Sequence, residues 1–160
     1  HAICRAQLAG ARQVVLIDVH SGLGPYGYGE LMTPSKPGEP VFETLRVCFG
    51  DQVHSTTAGT TAYAGAKGSI LAGFRPAVEG LGFSAVGLEF GTLERGAVRR
   101  AVEADTWLQL HGDAASALGQ RIKKDLRDAF YPEEPAWKQA VWERVQEVVQ
   151  LTLDGLHKQR

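Results

Sequence analysis

The sequence predicts an α/β fold in which a mixed, largely parallel sheet is flanked by helices and followed by a helical tail. Two apolar runs, VVLIDVH at 14–20 and GFSAVGLEFGT at 82–92, are typical of interior strands. Helical periodicity dominates the last third of the chain, where one face of the final helix collects Val141, Val145, Val148, Val149, Thr152 and Leu156. A chain of 160 residues that is 44% hydrophobic can form one domain with a real core.

The remaining elements are predicted from the positions of glycine and proline, which interrupt helices and strands, and from the spacing of the apolar residues. A single domain over 1–160 is expected, with a glycine- and proline-rich active-site loop at 21–40 and a helical tail at 114–160. Within the loop only a short stretch near Glu30–Met32 is expected to be regular. The expected helices cover 2–12, 41–50, 67–79, 93–111, 114–130 and 135–157, and the Ser/Thr-rich stretch at 54–61 has no clear preference.

Composition excludes several classes of protein. The net charge of −1 and the pI near 6.6 give no electrostatic reason to expect nucleic acid or a membrane surface as partner. Cys4 and Cys48 form no metal or redox motif, and no apolar run approaches the ~20 residues that cross a bilayer. A cytoplasmic protein is expected. The start at His1, without Met, suggests a fragment or a processed product.

The first strand ends in Asp18-Val-His20 and runs into glycines. Ligands bind at the carboxyl ends of strands in open α/β sheets, and an imidazole there can bind a metal or move a proton. Asp18 and His20 are two residues apart, so they share a strand face, where the carboxylate can orient the imidazole. A satisfied structural histidine is the alternative.

Glu89 is the companion signal in the second strand. A carboxylate is costly to bury unless it is paired or functional, and desolvation tunes a carboxyl group for acid–base work. A buried salt bridge with an arginine such as Arg75 is the alternative. The other histidines, His54, His111 and His157, are expected to be structural or exposed.

Two motifs have weak support. Gly22-Leu-Gly24-Pro-Tyr-Gly27 matches the dinucleotide-binding pattern and follows a strand, but Pro25 and further glycines replace the helix that would hold a pyrophosphate. Ser21 lacks the frame of a nucleophile elbow. A glycine-rich bend that lets backbone pass close to another group is the better interpretation.

Four blocks, IDVHSGLGPYG at 17–27, GEL at 29–31, LEFGT at 88–92 and RDAFY at 127–131, carry a family resemblance. In this order they resemble a bacterial branch of the zinc-carboxypeptidase superfamily, a domain-of-unknown-function group related to carboxypeptidase A and aspartoacylase. The likeness extends from about residue 4 to residue 150. It implies the hydrolase-like fold of that superfamily, here its C-terminal part.

The resemblance also implies a chemistry. In the superfamily, zinc is held by a His-x-x-Glu pair and a later histidine, which His20 matches, and Glu89 matches the glutamate that activates water. It therefore implies zinc-dependent hydrolysis of an amide or peptide bond, with a small peptide or N-acyl amino acid as substrate. No His-x-x-Glu occurs in this sequence, so the chain alone is expected to bind zinc weakly or not at all.

Tyr26 and Glu30 are expected to contact substrate, because both lie in the predicted loop. The alternative function is a shortened, non-catalytic domain that binds a partner or oligomerises. A homo-oligomer, or a complementing N-terminal part that supplies the missing ligands, is the expected partner in either case.

Overall fold

The computed structural model describes residues 2–8, 10–57 and 70–158, and it confirms an α/β fold with a mixed sheet. The strands are β1 (Gln13–Tyr26), β2 (Gly29–Thr33), β3 (Val53–Ser55) and β4 (Gly82–Gly91), in the sheet order β1-β4-β2-β3. The helices are α1 (Ala2–Gln7), α2 (Pro40–Phe49), α3 (Ile70–Phe74), α4 (Arg95–His111), α5 (Ala117–Phe130) and α6 (Pro135–Lys158).

The described residues divide into two compact units. The first contains the described parts of 1–20, 30–88 and 145–160, and the second contains 21–29 and 89–144. In the first unit Gly82 N donates to Arg12 O (3.0 Å), and in the second Gly27 N donates to Gly91 O (2.9 Å). Because these bonds join the two starts and the two ends of β1 and β4, the strands are parallel.

The core of the first unit is aliphatic. Leu31, Leu45, Val86, Leu88 and Val148 are all fully buried. Strand β2 is parallel to β3, with Met32 opposite His54. Where α6 packs on α2, a Cβ on Gly155 would stand 2.7 Å from Cys48 Cα, so this helix crossing requires glycine.

The second unit is built on α4, α5 and the first part of α6. Each of the first two helices has a side-chain N-cap: Glu94 accepts from Gly96 N and Ala97 N, and Ser116 Oγ accepts from Gly119 N. Trp137 is buried, whereas Trp142 is 59% exposed.

Most of the predicted loop over 21–40 is regular backbone in the structure, and the short regular stretch expected near Glu30–Met32 lies within a strand. Residues 21–26 continue β1, and Gly29–Thr33 forms the buried strand β2, which leaves short turns at 27–28 and 34–39. Glycines in this segment allow close packing without ending the strand: a Cβ on Gly22 would lie 2.8 Å from Phe130 Cε1. The number of glycines in this segment had predicted an interruption of regular secondary structure.

Other boundaries shift as well. The first helix ends at Gln7, short of the predicted residue 12, and the predicted helix 67–79 is α3 followed by a 3₁₀ turn at Arg75–Val78. Residues 58–61 and 67–69 of the predicted segments lie outside the described residues. The three long helices match their predicted positions to within about three residues.

Candidate functional site

Glu89 lies near the carboxyl end of β4 and is only 8% exposed. Its Oε1 accepts a hydrogen bond of 3.0 Å from the backbone N–H of Leu23 in β1. Gly22 and Gly24, on either side of Leu23, have φ values of 132° and 101°, a region that favours glycine. The glycine bend of the sequence thus brings a backbone donor to the candidate base. The side chain of Arg75, the alternative partner, lies outside the described part of the structure.

The turn between β1 and β2 crosses the end of β4. Besides the bond from Gly27 N, Gly91 N donates to Tyr28 O at 3.2 Å. A Cβ on Gly91 would overlap the carbonyl oxygens of Gly24 and Pro25. Because a side chain at position 91 would collide with this backbone, the crossing requires glycine there, two residues beyond Glu89.

Trp137 connects α6 to the backbone crossing at Gly91 through a hydrogen bond and ring contacts. Its indole Nε1 donates to Gly91 O at 2.9 Å, and its ring meets the edges of Phe90 and Tyr131 at centroid distances of 6.5 and 5.8 Å. The backbone around Glu89 is thus fixed by one indole and two strands, an arrangement that holds a side chain in one orientation.

Tyr26, a predicted substrate contact, is half-exposed at the end of β1. Its hydroxyl donates to Glu134 Oε2 at 2.6 Å. This hydrogen bond, with smaller contributions from desolvation and from the charge of Glu134, raises the pKa of Tyr26 to about 12. The phenol is therefore a protonated hydrogen-bond donor at neutral pH.

His20 and Asp18 lie in the first unit and contact each other, as their spacing predicts. His20 Nε2 and Asp18 Oδ2 are 2.7 Å apart, and the His20 side chain is 56% exposed while that of Asp18 is 18% exposed. Carboxylates commonly orient metal-binding imidazoles in this way. The arrangement can equally hold a protonated histidine in a surface ion pair.

Glu30, the other predicted substrate contact, is buried in β2 and pairs with His54 of β3. Glu30 Oε1 and His54 Nδ1 are 3.1 Å apart, and the side chains are 10% and 37% exposed. The pair is not evident in the sequence, because its members are 24 residues apart and meet only through the β2–β3 register. The one local signal is a carboxylate inside the apolar segment Gly29–Thr33.

The residues that the structure describes do not by themselves fit a catalytic zinc centre. Such a centre needs three protein ligands and one open position. Within 2–8, 10–57 and 70–158, no group of three His, Cys, Asp or Glu side chains is close enough to hold a metal ion. His20 supplies at most one ligand of such a set.

The fold and these residues define an α/β protein with a buried, hydrogen-bonded glutamate near a strand end. The chain belongs to the family described as "Protein of unknown function (DUF2817)", whose model matches residues 1–144. No curated protein and no solved structure matches the chain. The relationship to zinc carboxypeptidases stays a prediction. Among the described residues, no helix has the length and apolar character needed to cross a membrane.

Proposed function

We propose that this chain carries the general base of a hydrolase that cleaves an amide or peptide bond, and that Glu89 is that base. The observation that supports the proposal is the environment of Glu89: an almost buried carboxylate held at 3.0 Å by the Leu23 N–H. A fixed carboxylate can take a proton from a water molecule while the water oxygen attacks the carbonyl carbon. It then returns that proton to the departing amine, which balances the hydrolysis.

The proposal assigns His20 as one metal ligand, with Asp18 as its orienting carboxylate. The support is the 2.7 Å contact between them and the half-exposed imidazole. Since the described residues lack the remaining ligands, we derive no catalytic step from zinc. Any further ligands would have to come from outside the described residues.

Tyr26 is proposed as the substrate contact. Its hydroxyl donates to Glu134 Oε2, and the side chain is half-exposed. Its phenol oxygen can therefore accept a hydrogen bond from an N–H group of a small peptide or an N-acyl amino acid. Glu30 is a weaker candidate for this role, because its buried carboxylate already pairs with His54.

The test is the release of free amine from N-acyl amino acids and dipeptides by the purified chain, with and without added zinc. Glu89→Gln keeps the shape and an acceptor for Leu23 N–H but removes the base, so turnover should fall by about 10²–10⁴-fold. Glu103→Gln, an exposed glutamate of α4, is the matched control and should retain wild-type turnover. Undiminished hydrolysis by Glu89→Gln would refute the proposal.

A second candidate is a non-catalytic domain that binds a partner or oligomerises. The incomplete ligand set in the described residues favours it, and so do the exposed apolar side chains of α4. Trp107 is 47% exposed, and Leu110, one turn further on, is 70% exposed. Side chains of this kind are enriched at interfaces.

A further inference from the structure

The pair formed by Glu30 and His54 lies entirely within the first unit and has no part in the proposed role of Glu89. We infer that it is an acid–base dyad in which Glu30 positions His54, and His54 takes and returns a proton during hydrolysis of a small carboxylic ester. The inference does not depend on the Glu89 proposal, because it concerns other residues and another bond.

Burial assigns the two residues different roles. Glu30 is 7% exposed, and a carboxylate so enclosed must be paired to offset its desolvation. The His54 side chain is 37% exposed, so part of it is open to solvent. Glu30, the buried residue, therefore orients the imidazole, and His54, the partly exposed one, is the residue that can react.

The strand register makes the pair rigid. Leu31 lies opposite Val53, Met32 opposite His54 and Thr33 opposite Ser55, so His54 is held between neighbours paired on both sides. Leu31, Val53, Thr33 and Ser55 are each at most 4% exposed. A functional group on such a support is positioned more precisely than one on a loop.

The contact also selects the tautomer. Glu30 Oε1 meets Nδ1 of His54, and a carboxylate accepts a proton there, so the neutral ring carries its hydrogen on Nδ1. Nε2 is then the basic atom. Among the residues that the structure describes, no hydrogen-bond partner of His54 other than Glu30 is found.

In the proposed hydrolysis His54 acts first as general base and then as general acid. His54 Nε2 takes a proton from a water molecule as the water oxygen bonds to the acyl carbon. The carbon–oxygen bond to the leaving group breaks, and the imidazolium gives its proton to that oxygen. One ester and one water become one acid and one alcohol, and Glu30 keeps the Nδ1–H throughout.

The first test is hydrolysis of p-nitrophenyl acetate by the purified chain at pH 8. His54→Gln should lower the second-order rate constant by about 10²-fold, the lower limit of general-base effects. His111→Gln is the matched control, because His111 is an exposed helical histidine without a carboxylate partner in the described structure, and it should stay near wild type. A His54→Gln rate equal to wild type would overturn the inference.

The second test needs no turnover. Long-range ¹⁵N–¹H NMR spectra of the histidine rings should show His54 protonated on Nδ1 in the wild type and in Glu30→Gln, whose amide oxygen can still accept. Glu30→Met fills the same space without an acceptor and should lose that preference. An Nε2–H tautomer of His54 in the wild type would contradict the dyad. Loss of amide hydrolysis in Glu89→Gln is a separate result, so failure of one proposal leaves the other testable.

Discussion

Gly91 is the last residue of β4, and the backbone at the end of β1 passes directly against it. We expect Gly91→Ala to destabilise the protein by at least about 2 kcal/mol, because the new methyl group must displace two backbone carbonyls that cannot move freely. The midpoint of urea unfolding measures the effect.

Gly87 provides the control, since it lies in the same strand. A Cβ there would stand 3.4 Å from Met32 Cγ and 3.6 Å from Met32 O, which is ordinary contact. Gly87→Ala should leave the stability unchanged or raise it by about 0.5–1 kcal/mol, because alanine loses less backbone entropy on folding. Equal effects of the two substitutions would show that the crossing does not constrain Gly91.

At the scale of elements, α4 and α5 are joined by an ion pair that should respond to pH. Lys123 Nζ lies 2.6 Å from Asp105 Oδ1, and Gln109 Nε2 donates to Oδ2 at 2.7 Å. The bond from Lys123 and then that from Gln109 lower the pKa of Asp105. A lowered folded-state pKa stabilises the protein above the unfolded value of about 3.9, and this contribution is lost as the pH falls through the folded-state pKa.

Asp105→Asn tests this linkage. The variant should be less stable than wild type at pH 7. The difference should shrink as the pH falls below about 4, where the unfolded chain takes up a proton at Asp105, and it should level off below the lowered folded-state pKa. Asp51→Asn is the control, because the Asp51 side chain is fully exposed and its pair with Arg46 spans 3.6 Å. A stability difference independent of pH between 7 and 2.5 would contradict the assignment.

Sequence patterns revealed those elements that are encoded locally. The apolar runs around 14–20 and 86–90 predicted β1 and β4. Burial on both faces explains the continuous hydrophobic signal of β4. The prediction of an interior strand is wrong for β1, which lies at the edge of the described sheet and is exposed or only partly buried from Gln13 to His20. Strand β2 was predicted only as a short regular stretch near Glu30–Met32 within a loop, since Gly29 begins it and breakers surround it. Its burial depends on neighbours in the sheet, and a local pattern does not contain that information.

For the candidate site, too, the sequence predicted local contacts and missed contacts between distant segments. The i, i+2 spacing predicted the contact between Asp18 and His20, and burial of a carboxylate within an apolar run marked Glu89. One partner of Glu89 is a backbone N–H supplied by Leu23, 66 residues away, and the partner found for His54 lies on another strand. Both contacts arise only from tertiary pairing, so no spacing rule reveals them.

At the scale of the whole molecule, metal binding and mass together distinguish the two candidate functions. From the described residues we expect zinc to bind with far less free energy than the about 10–16 kcal/mol of complete structural sites. His20→Ala should weaken that binding further if His20 is a ligand. Isothermal titration measures both effects.

Light scattering on the same sample reports the oligomeric state. A stable oligomer that Leu110→Glu dissociates, with no zinc binding and no hydrolysis, would favour the binding domain over the hydrolase. Tight zinc binding by the chain alone would contradict the expectation of an incomplete ligand set.

The crossing at Gly91 also bears on how the second unit folds. Helices α4 and α5 are close in sequence and can pair early, whereas the segment 21–29 must return across long separations: 66 residues for Leu23 with Glu89 and 109 for Ser21 with Phe130. Closing such loops costs chain entropy before any contact compensates it, which slows folding. The backbone donor to Glu89 is therefore expected to arrive late, on a scaffold of helices already formed.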